Sequence, residues 1–210
     1  TSTQRSNLPV SAPPATGAAQ PSNGSPAAAP SMSAAQRLLK KVGLLRNGGN
    51  VKRWHTKPII GENTVGHHSF GALSLLLLLH PEPTLTLIRA VAWHDMGESV
   101  MGDVPSPTLW ANPALDAAYT AGEQEVLDRI GVRMSLLSKE EQGWLLGVDK
   151  LECLLYVREQ LNLGNANMRV TSRLLHDWFE QRNDLPKEIQ ALVAELREIA
   201  PHQDISRLGD

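Results

Sequence analysis

The sequence has little cysteine, few aromatic side chains and no apolar run long enough to cross a membrane. Cys153 is the single cysteine, which excludes an internal disulfide or a cysteine-based zinc cluster and is typical of a reducing compartment, so we expect a cytoplasmic protein. The leucines at 75–79 predict a buried helix, because a membrane span needs roughly 18 apolar residues. We therefore expect no membrane association.

Acidic side chains are absent before Glu62, whereas eight of the 20 Lys and Arg residues lie there. Residues 1–61 therefore carry a formal charge of +8 and residues 62–210 carry −10, although the net charge is only −2. A basic block of this kind binds nucleic acid or a smaller anion such as a nucleotide phosphate. Aromatic residues make up 4% and we find no nucleic-acid-binding motif, so we do not expect nucleic acid as the partner.

The first 31 residues differ in composition from the rest of the chain. They contain one charged residue, Arg5, and only Leu8 and Val10 as large apolar side chains. Such a segment cannot bury enough surface to offset its ordering entropy. We predict a disordered low-complexity tail over 1–32 and a folded domain over 33–210.

The folded part shows helical periodicity nearly throughout and no convincing alternating strand. The first helix is expected to open the domain before the Gly48-Gly49 pair, and the prolines after Asp103 predict a rigid loop. The fold class is predicted as all-α, a bundle of six or seven helices, with further helices near 65–79, 84–98, 112–130, 139–163, 168–182 and 186–199.

The stretch WHDMGESVMGDVP gathers ionisable residues at the end of an apolar helix. Glu98 follows His94 by four residues and Asp95 by three, so the three share one helix face. The rest of this helix is strongly apolar, which indicates partial burial. Buried carboxylates need a compensating charge, and a bound cation is a natural partner.

Two other helices supply candidates for the same site. His67 and His68 begin an apolar helix, and His68 precedes His94 by 26 residues. Asp149 lies among apolar residues of a later helix, where an ion pair with Lys150 is the alternative reading. Imidazoles and carboxylates together form a mixed nitrogen and oxygen site that suits Mn, Fe, Co, Zn or Mg.

The pattern of His68, His94-Asp95 and Asp149 resembles the HD-domain metal-dependent phosphohydrolases. The runs RWHTK, ENTVGHHS and HDMGESVMGDVPSP are similar to the YfbR-like 5'-deoxynucleotidases and to the phage enzymes that hydrolyse dATP and other deoxynucleoside triphosphates. The resemblance covers roughly residues 35–165 and implies an HD-domain helical bundle.

The resemblance also implies the metal ligands and the acidic pair. It makes His68, His94, Asp95 and Asp149 ligands of a divalent metal ion. His68 is chosen over His67 because a serine follows it; His67 itself stands where the family commonly has glutamate. Glu98 and Asp103 match an acidic pair that activates water, protonates the leaving group or orients the substrate.

A substrate-binding pair and a reaction follow from the same resemblance. Arg53 would meet phosphate, Trp54 would pack against the sugar and exclude a 2'-hydroxyl, and Lys57 lies close by in the sequence. Metal-activated water is then expected to attack the α-phosphorus of a deoxynucleoside mono- or triphosphate. The family implies a homo-oligomer, dimer or hexamer. The expected location stays the cytoplasm, or the host cytoplasm if the protein is phage-encoded.

Two other functions remain open at this point. The same superfamily chemistry would serve another phosphoester, such as a signalling nucleotide. A non-catalytic nucleotide-binding or scaffold protein would bind nucleotide without hydrolysis.

Two alanine substitutions test the predicted division of roles. Asp95→Ala is expected to abolish bound metal and activity together while helix content is kept, because it removes a ligand. Glu98→Ala is expected to keep the metal and lose turnover. Metal content, circular dichroism and activity measure these outcomes; a fully active Asp95→Ala variant would contradict the assignment.

Overall fold

The structure, a computed structural model, describes residues 32–200, 203 and 205–208. The predicted tail over 1–32 lies outside the described residues except for Met32, and the division of the chain at residue 32 stays a prediction. From residue 33 the described chain is helical nearly throughout.

Nine α-helices follow one another in the described residues, and seven of them have nine residues or more. The described part contains no β-strand, only one isolated antiparallel bridge between Lys52 and Thr64. The all-α prediction is confirmed. The helices are α1 (Ala34–Gly49), α2 (Val65–Leu79), α3 (Leu85–Trp93), α4 (Glu98–Met101), α5 (Ser106–Trp110), α6 (Pro113–Ile130), α7 (Lys139–Asn162), α8 (Arg169–Glu180) and α9 (Lys187–Glu198).

Side-chain caps fix where the long helices begin. The Ser138 hydroxyl accepts from the Glu141 backbone N–H at 3.1 Å, and Glu141 accepts from the Ser138 N–H in return, which forms a capping box at the start of α7. Thr64 caps α2 in a similar way by accepting from the His67 N–H. These caps satisfy backbone donors that have no partner within the helix.

Helix α7 lies at the centre of the bundle and packs against α2, α3, α8 and α9. The main core is built from apolar side chains of these helices and is excluded from solvent. A smaller apolar cluster joins α1, α2, the segment after α3 and α6. The largest fully buried side chains include Leu76, Leu87, Leu151, Leu154, Met168 and Ile189.

None of the helices in the described range combines the length and the apolar character needed to cross a bilayer. The apolar run at 75–79 forms the end of α2, as predicted, but the prediction that it is buried holds for Leu76 and is wrong for Leu77 and Leu78, which are exposed.

Three predicted boundaries differ from the structure. Helix α1 continues through Gly48 and Gly49, because the missing side chain lets the helix approach Met96: a Cβ on Gly48 would lie 2.6 Å from Met96 Sδ. The predicted helix 84–98 is divided, since α3 ends at Trp93 and a tighter 3₁₀ turn, His94–Gly97, precedes α4.

The segment after Asp103 also differs from the predicted loop. It forms the short helix α5, because Pro107 lies in the first turn, where its missing N–H costs no hydrogen bond.

Two glycine substitutions test the close approach of α1 to α2. Gly66→Ala is expected to destabilise the protein by about 1–3 kcal/mol, because a Cβ there would lie 2.8 Å from the Gly49 carbonyl oxygen. Gly43→Ala is the matched control; no atom lies within 4 Å of its Cβ position, so it should stabilise α1 by about 0.5–1 kcal/mol. Urea denaturation measures both, and equal stability of the two variants would contradict the contact.

Candidate metal centre and active site

Two imidazoles and a carboxylate converge where α2, the 3₁₀ turn and α7 meet. The Nε2 atoms of His68 and His94 lie 3.3 Å apart, and Asp149 Oδ1 lies 3.1 Å from the first and 3.8 Å from the second. One ligand atom from each of the three residues lies within 4.8 Å of the others, a set that could hold a metal ion. Asp95 borders this set, with Oδ1 3.3 Å from His94 Nε2 and Oδ2 3.6 Å from His68 Nε2.

The secondary structure explains how distant residues meet there. His68 lies in the first turn of α2, directly after the capped start, and its side chain is fully buried. His67, one residue earlier, faces solvent. The 3₁₀ turn after α3 carries His94 and Asp95, and Asp149 comes from the middle of α7. The structure thus brings the four predicted ligands together and leaves His67 outside.

The far nitrogen of each imidazole has a partner that orients its ring. His94 Nδ1 donates to the Val91 carbonyl oxygen at 2.9 Å, so Nε2 carries the lone pair of the neutral ring. His68 Nδ1 contacts a carboxylate oxygen of Glu152. Both contacts turn the Nε2 atoms toward Asp149, as in the metal sites where a carboxylate or carbonyl holds each histidine ligand.

Sequence reasoning missed Glu152. The available signal was its position three residues after Asp149, which places both carboxylates on one face of α7. Without knowing that α2 packs on that face, the residue looks like any acid on a long helix.

Opposite charges offset the burial of the two aspartates. Asp95 forms an ion pair with the Arg53 guanidinium, and Lys150 Nζ lies 2.8 Å from Asp149 Oδ2. Burial by itself would raise the pKa of Asp95, but the attraction of His94, Arg53 and His68 outweighs it and lowers the value. The pKa of Asp149 is likewise held well below its usual range against burial, chiefly by Lys150 and by hydrogen bonds from both histidines.

The pKa values of the two histidines are raised by the same neighbouring carboxylates. Burial would lower the pKa of His68, yet its hydrogen bonds with Asp149 and Glu152 raise the value to about 9. The pKa of His94 is also raised, because Asp95 and Asp149 overcome the effect of burial. The cluster therefore stabilises positive charge between its carboxylates.

Glu98 behaves differently from the aspartates. Its side chain is buried, and Oε2 has no hydrogen-bond partner among the described residues. Burial, and then the negative charge of Asp95, raise the pKa of Glu98 to about 9. This environment favours the protonated form of the Glu98 carboxyl group at neutral pH.

Asp103 lies at the edge of this region. Its Oδ2 is 3.3 Å from His55 Nδ1, and burial raises the pKa of the carboxyl group. The preceding Gly102 has a φ of 75°, a left-handed conformation that favours glycine, and its carbonyl accepts from the Tyr119 hydroxyl at 2.5 Å. The turn at Gly102 and Asp103 is thus held by Tyr119 through its backbone and by His55 through its side chain.

The loop between α1 and α2 brings Arg53 and Trp54 to the cluster. Besides its pair with Asp95, the Arg53 guanidinium lies 3.6 Å from Cys153 Sγ on α7. The Trp54 indole stacks on Tyr156, with ring centroids 5.6 Å apart. Lys57 is exposed, and its backbone N–H closes a turn by donating to the Trp54 carbonyl at 2.9 Å.

A cleft of about 380 Å³ reaches the metal centre between α6 and α7. Its lining contains no lysine or arginine and includes Glu123, whose pKa is raised to about 7 by burial and by the charge of Asp95. Sequence reasoning missed Glu123, which no motif marks. A larger groove of about 740 Å³ lies elsewhere and contains none of the predicted site residues. The smaller cleft is lined by His94, Thr120, Glu123, Gln124, Leu127, Met134, Gln142, Leu145, Leu146 and Asp149.

Part of the chain is similar in sequence to known proteins. Residues 46–147 match the model of the HD domain family. The chain is 26% identical over 158 residues to the 5'-deoxynucleotidase of Vibrio atlanticus (strain LGP32), an alignment that covers 63% of this chain and 80% of the relative.

Solved structures show the same fold. A conserved hypothetical protein from Pyrococcus furiosus superposes with a TM-score of 0.62 at 18% identity, covering 77% of this chain and 99% of the other. The PH0347 protein from Pyrococcus horikoshii OT3 gives 0.60 at 18% identity, covering 76% and 98%. The family match and the relative support a resemblance to HD-domain phosphohydrolases and, among them, to 5'-deoxynucleotidases.

Removing the carboxylate that orients His68 should weaken metal binding. Glu152→Ala is expected to reduce affinity for Mn²⁺ or Co²⁺ by about 10–100-fold, because the ring loses the acceptor that fixes it. Glu152→Gln keeps an acceptor oxygen and should lose less. Isothermal titration calorimetry measures the affinities, with Glu159→Gln, an exposed residue of the same helix, as control. Unchanged affinity in Glu152→Ala would contradict this orienting role.

Proposed function

We propose that this protein is an HD-domain phosphohydrolase that hydrolyses 2'-deoxynucleotides at the α-phosphorus, releasing the deoxynucleoside together with either inorganic phosphate or inorganic triphosphate. The observation that carries the proposal is the convergence of His68, His94 and Asp149, together with a buried Glu98 and a partly buried Arg53 that pairs with Asp95. The resemblance to a 5'-deoxynucleotidase supports the choice of substrate.

The donor set fits a divalent metal ion. His68, His94, Asp95 and Asp149 would hold it, since both rings are anchored through Nδ1 and their Nε2 atoms face Asp149. Such mixed nitrogen and oxygen sites accept Co, Mn, Zn, Fe or Mg. A bound ion of this kind would act as a Lewis acid and polarise a phosphoryl oxygen of the substrate.

Glu98 and Asp103 divide the acid and positioning work in this proposal. A water molecule would attack the α-phosphorus and form the new phosphorus–oxygen bond as the bond to the 5'-oxygen breaks, and the protonated Glu98 would give its proton to that leaving oxygen. Asp103, held beside His55 by the turn at Gly102, would orient the substrate from the edge of the site. The burial of Glu98 is what keeps its proton available near neutral pH.

Arg53 would bind the phosphate of the nucleotide, and Trp54 would contact its sugar. A guanidinium binds phosphate through two parallel N–H donors, and Arg53 already faces a carboxylate oxygen in the cluster. Trp54 follows it directly, so its indole would meet the sugar and leave no room for a 2'-hydroxyl. Lys57, at the exposed end of the same loop, would add positive charge toward a longer phosphate chain.

Product analysis with defined substrates tests the proposal. Purified protein is incubated with Mn²⁺, Co²⁺, Zn²⁺ or Mg²⁺, each with dAMP, dATP and AMP, and the products are resolved by chromatography. Deoxyadenosine with phosphate from dAMP, or with triphosphate from dATP, is the expected result, and AMP should be a poorer substrate. An Asp95→Ala preparation reveals any contaminating phosphatase.

The other outcomes of this experiment are equally informative. No turnover with any metal would contradict the proposal and favour a nucleotide-binding protein. Equal hydrolysis of AMP and dAMP would contradict the deoxynucleotide assignment and favour another phosphoester.

A further inference from the structure

We propose that Tyr156 and Gln160, one helical turn apart on α7, are positioning residues that set the preference for deoxyribose by fixing Trp54. This inference rests on the proposed function, in which Trp54 meets the sugar. Neither residue is among the groups that hold metal or phosphate in that function. Both would act through the loop between α1 and α2.

Trp54 has an unusual backbone conformation. Its φ is 61°, and among the described residues it is the only non-glycine residue with a positive φ. For a bulky side chain this is a conformational outlier, and such a conformation persists only where the surroundings enforce it. The surroundings of Trp54 must therefore supply that constraint.

Tyr156 supplies the first part of the constraint. Its ring lies 5.6 Å from the Trp54 ring at an interplanar angle of 28°, and its side chain is buried, 8% exposed. The Tyr156 hydroxyl is buried without a hydrogen-bond partner in the described part of the chain. The contact with Trp54 is thus made by the ring, which forms a fixed platform on α7 beneath the indole.

Gln160 supplies the second part by holding the end of the loop. Its side-chain oxygen accepts from the Ile60 N–H at 2.8 Å, and its amide nitrogen donates to the Ile60 carbonyl at 2.9 Å. Asn165 adds a bond from its amide nitrogen to the Pro58 carbonyl at 2.9 Å and another to Gln160 Oε1. Both amides are buried, so their loss would leave backbone groups of the loop unpaired.

The start of the loop is anchored independently. The Arg53 N–H donates to the Asn63 carbonyl at 3.0 Å, and the Arg53 guanidinium is paired with Asp95. Trp54 therefore lies between a charged anchor at the metal centre and an amide clamp at the end of α7. Tyr156 lies seven positions after Asp149, about 10 Å along the helix. Helix α7 therefore sets the distance between the metal centre and the ring that supports Trp54.

A rigid wall is what discrimination against one hydroxyl requires. If the indole could retreat, the pocket would admit ribose at little cost. Removing the Tyr156 ring should therefore raise the rate with ribonucleotides while metal binding stays intact.

The test compares Tyr156→Leu with Tyr156→Phe, using dAMP and AMP, or dATP and ATP if the wild type hydrolyses triphosphates. The Leu variant should lose at least tenfold in the deoxy-to-ribo ratio of kcat/KM, chiefly through a lower KM for the ribonucleotide. The Phe variant keeps the stacked ring and should keep the ratio. Glu159→Gln, on the exposed side of α7, is the control, and metal affinity is measured for all variants.

Gln160→Leu provides a second variant in case Tyr156→Leu does not fold. It should lower the deoxy-to-ribo ratio in the same direction, since it frees Ile60 from α7. A wild type that prefers deoxyribose, with Tyr156→Leu or Gln160→Leu folded, metal-binding and unchanged in that ratio, would overturn this inference and leave the proposed function standing. A wild type without hydrolysis, or without a preference for deoxyribose, would overturn both.

Discussion

The burial of several ionisable groups in one small volume is the constraint on which the rest of the site depends. Asp149, His68 and His94 approach within hydrogen-bonding distance or little more, with His68 fully buried and the other two partly buried at the cleft between α6 and α7. A buried carboxylate without a partner is costly, so each must face a cation or a donor. Arg53 and Lys150 meet that need within the chain, and the same field suits a bound divalent ion.

This constraint joins the metal centre to the loop between α1 and α2. Asp95 forms its ion pair with Arg53, which lies on the loop between α1 and α2. The same ion pair therefore holds Arg53 and its neighbour Trp54 beside the cluster. Helix α7 carries the matching surface, with Asp149 at the centre and Tyr156 and Gln160 further along. Helix α7 thus carries one candidate metal ligand and two residues that contact the loop, whereas burial raises the pKa of Glu98 on α4 to about 9.

The sequence predicts the long helices well, because apolar periodicity and caps such as Thr64 and Ser138 are local signals. It also indicates which acids and histidines meet, through the resemblance carried by the HD motif. It does not reveal the 3₁₀ turn at His94–Gly97 or the passage of α1 through Gly48, since both depend on tertiary packing. The role of Glu152 is hidden for the same reason. Homo-oligomer formation and a cytoplasmic location stay predictions.

The most direct test of the account is a crystal structure of the protein with Co²⁺, with anomalous diffraction measured at the cobalt edge. The account predicts one strong peak bonded to His68 Nε2, His94 Nε2 and Asp149, with Asp95 completing the protein ligands. Metal–nitrogen and metal–oxygen distances should be about 2.0–2.2 Å, as for similar ions. A peak at His67, at the His55–Asp103 pair or nowhere in the chain would contradict it.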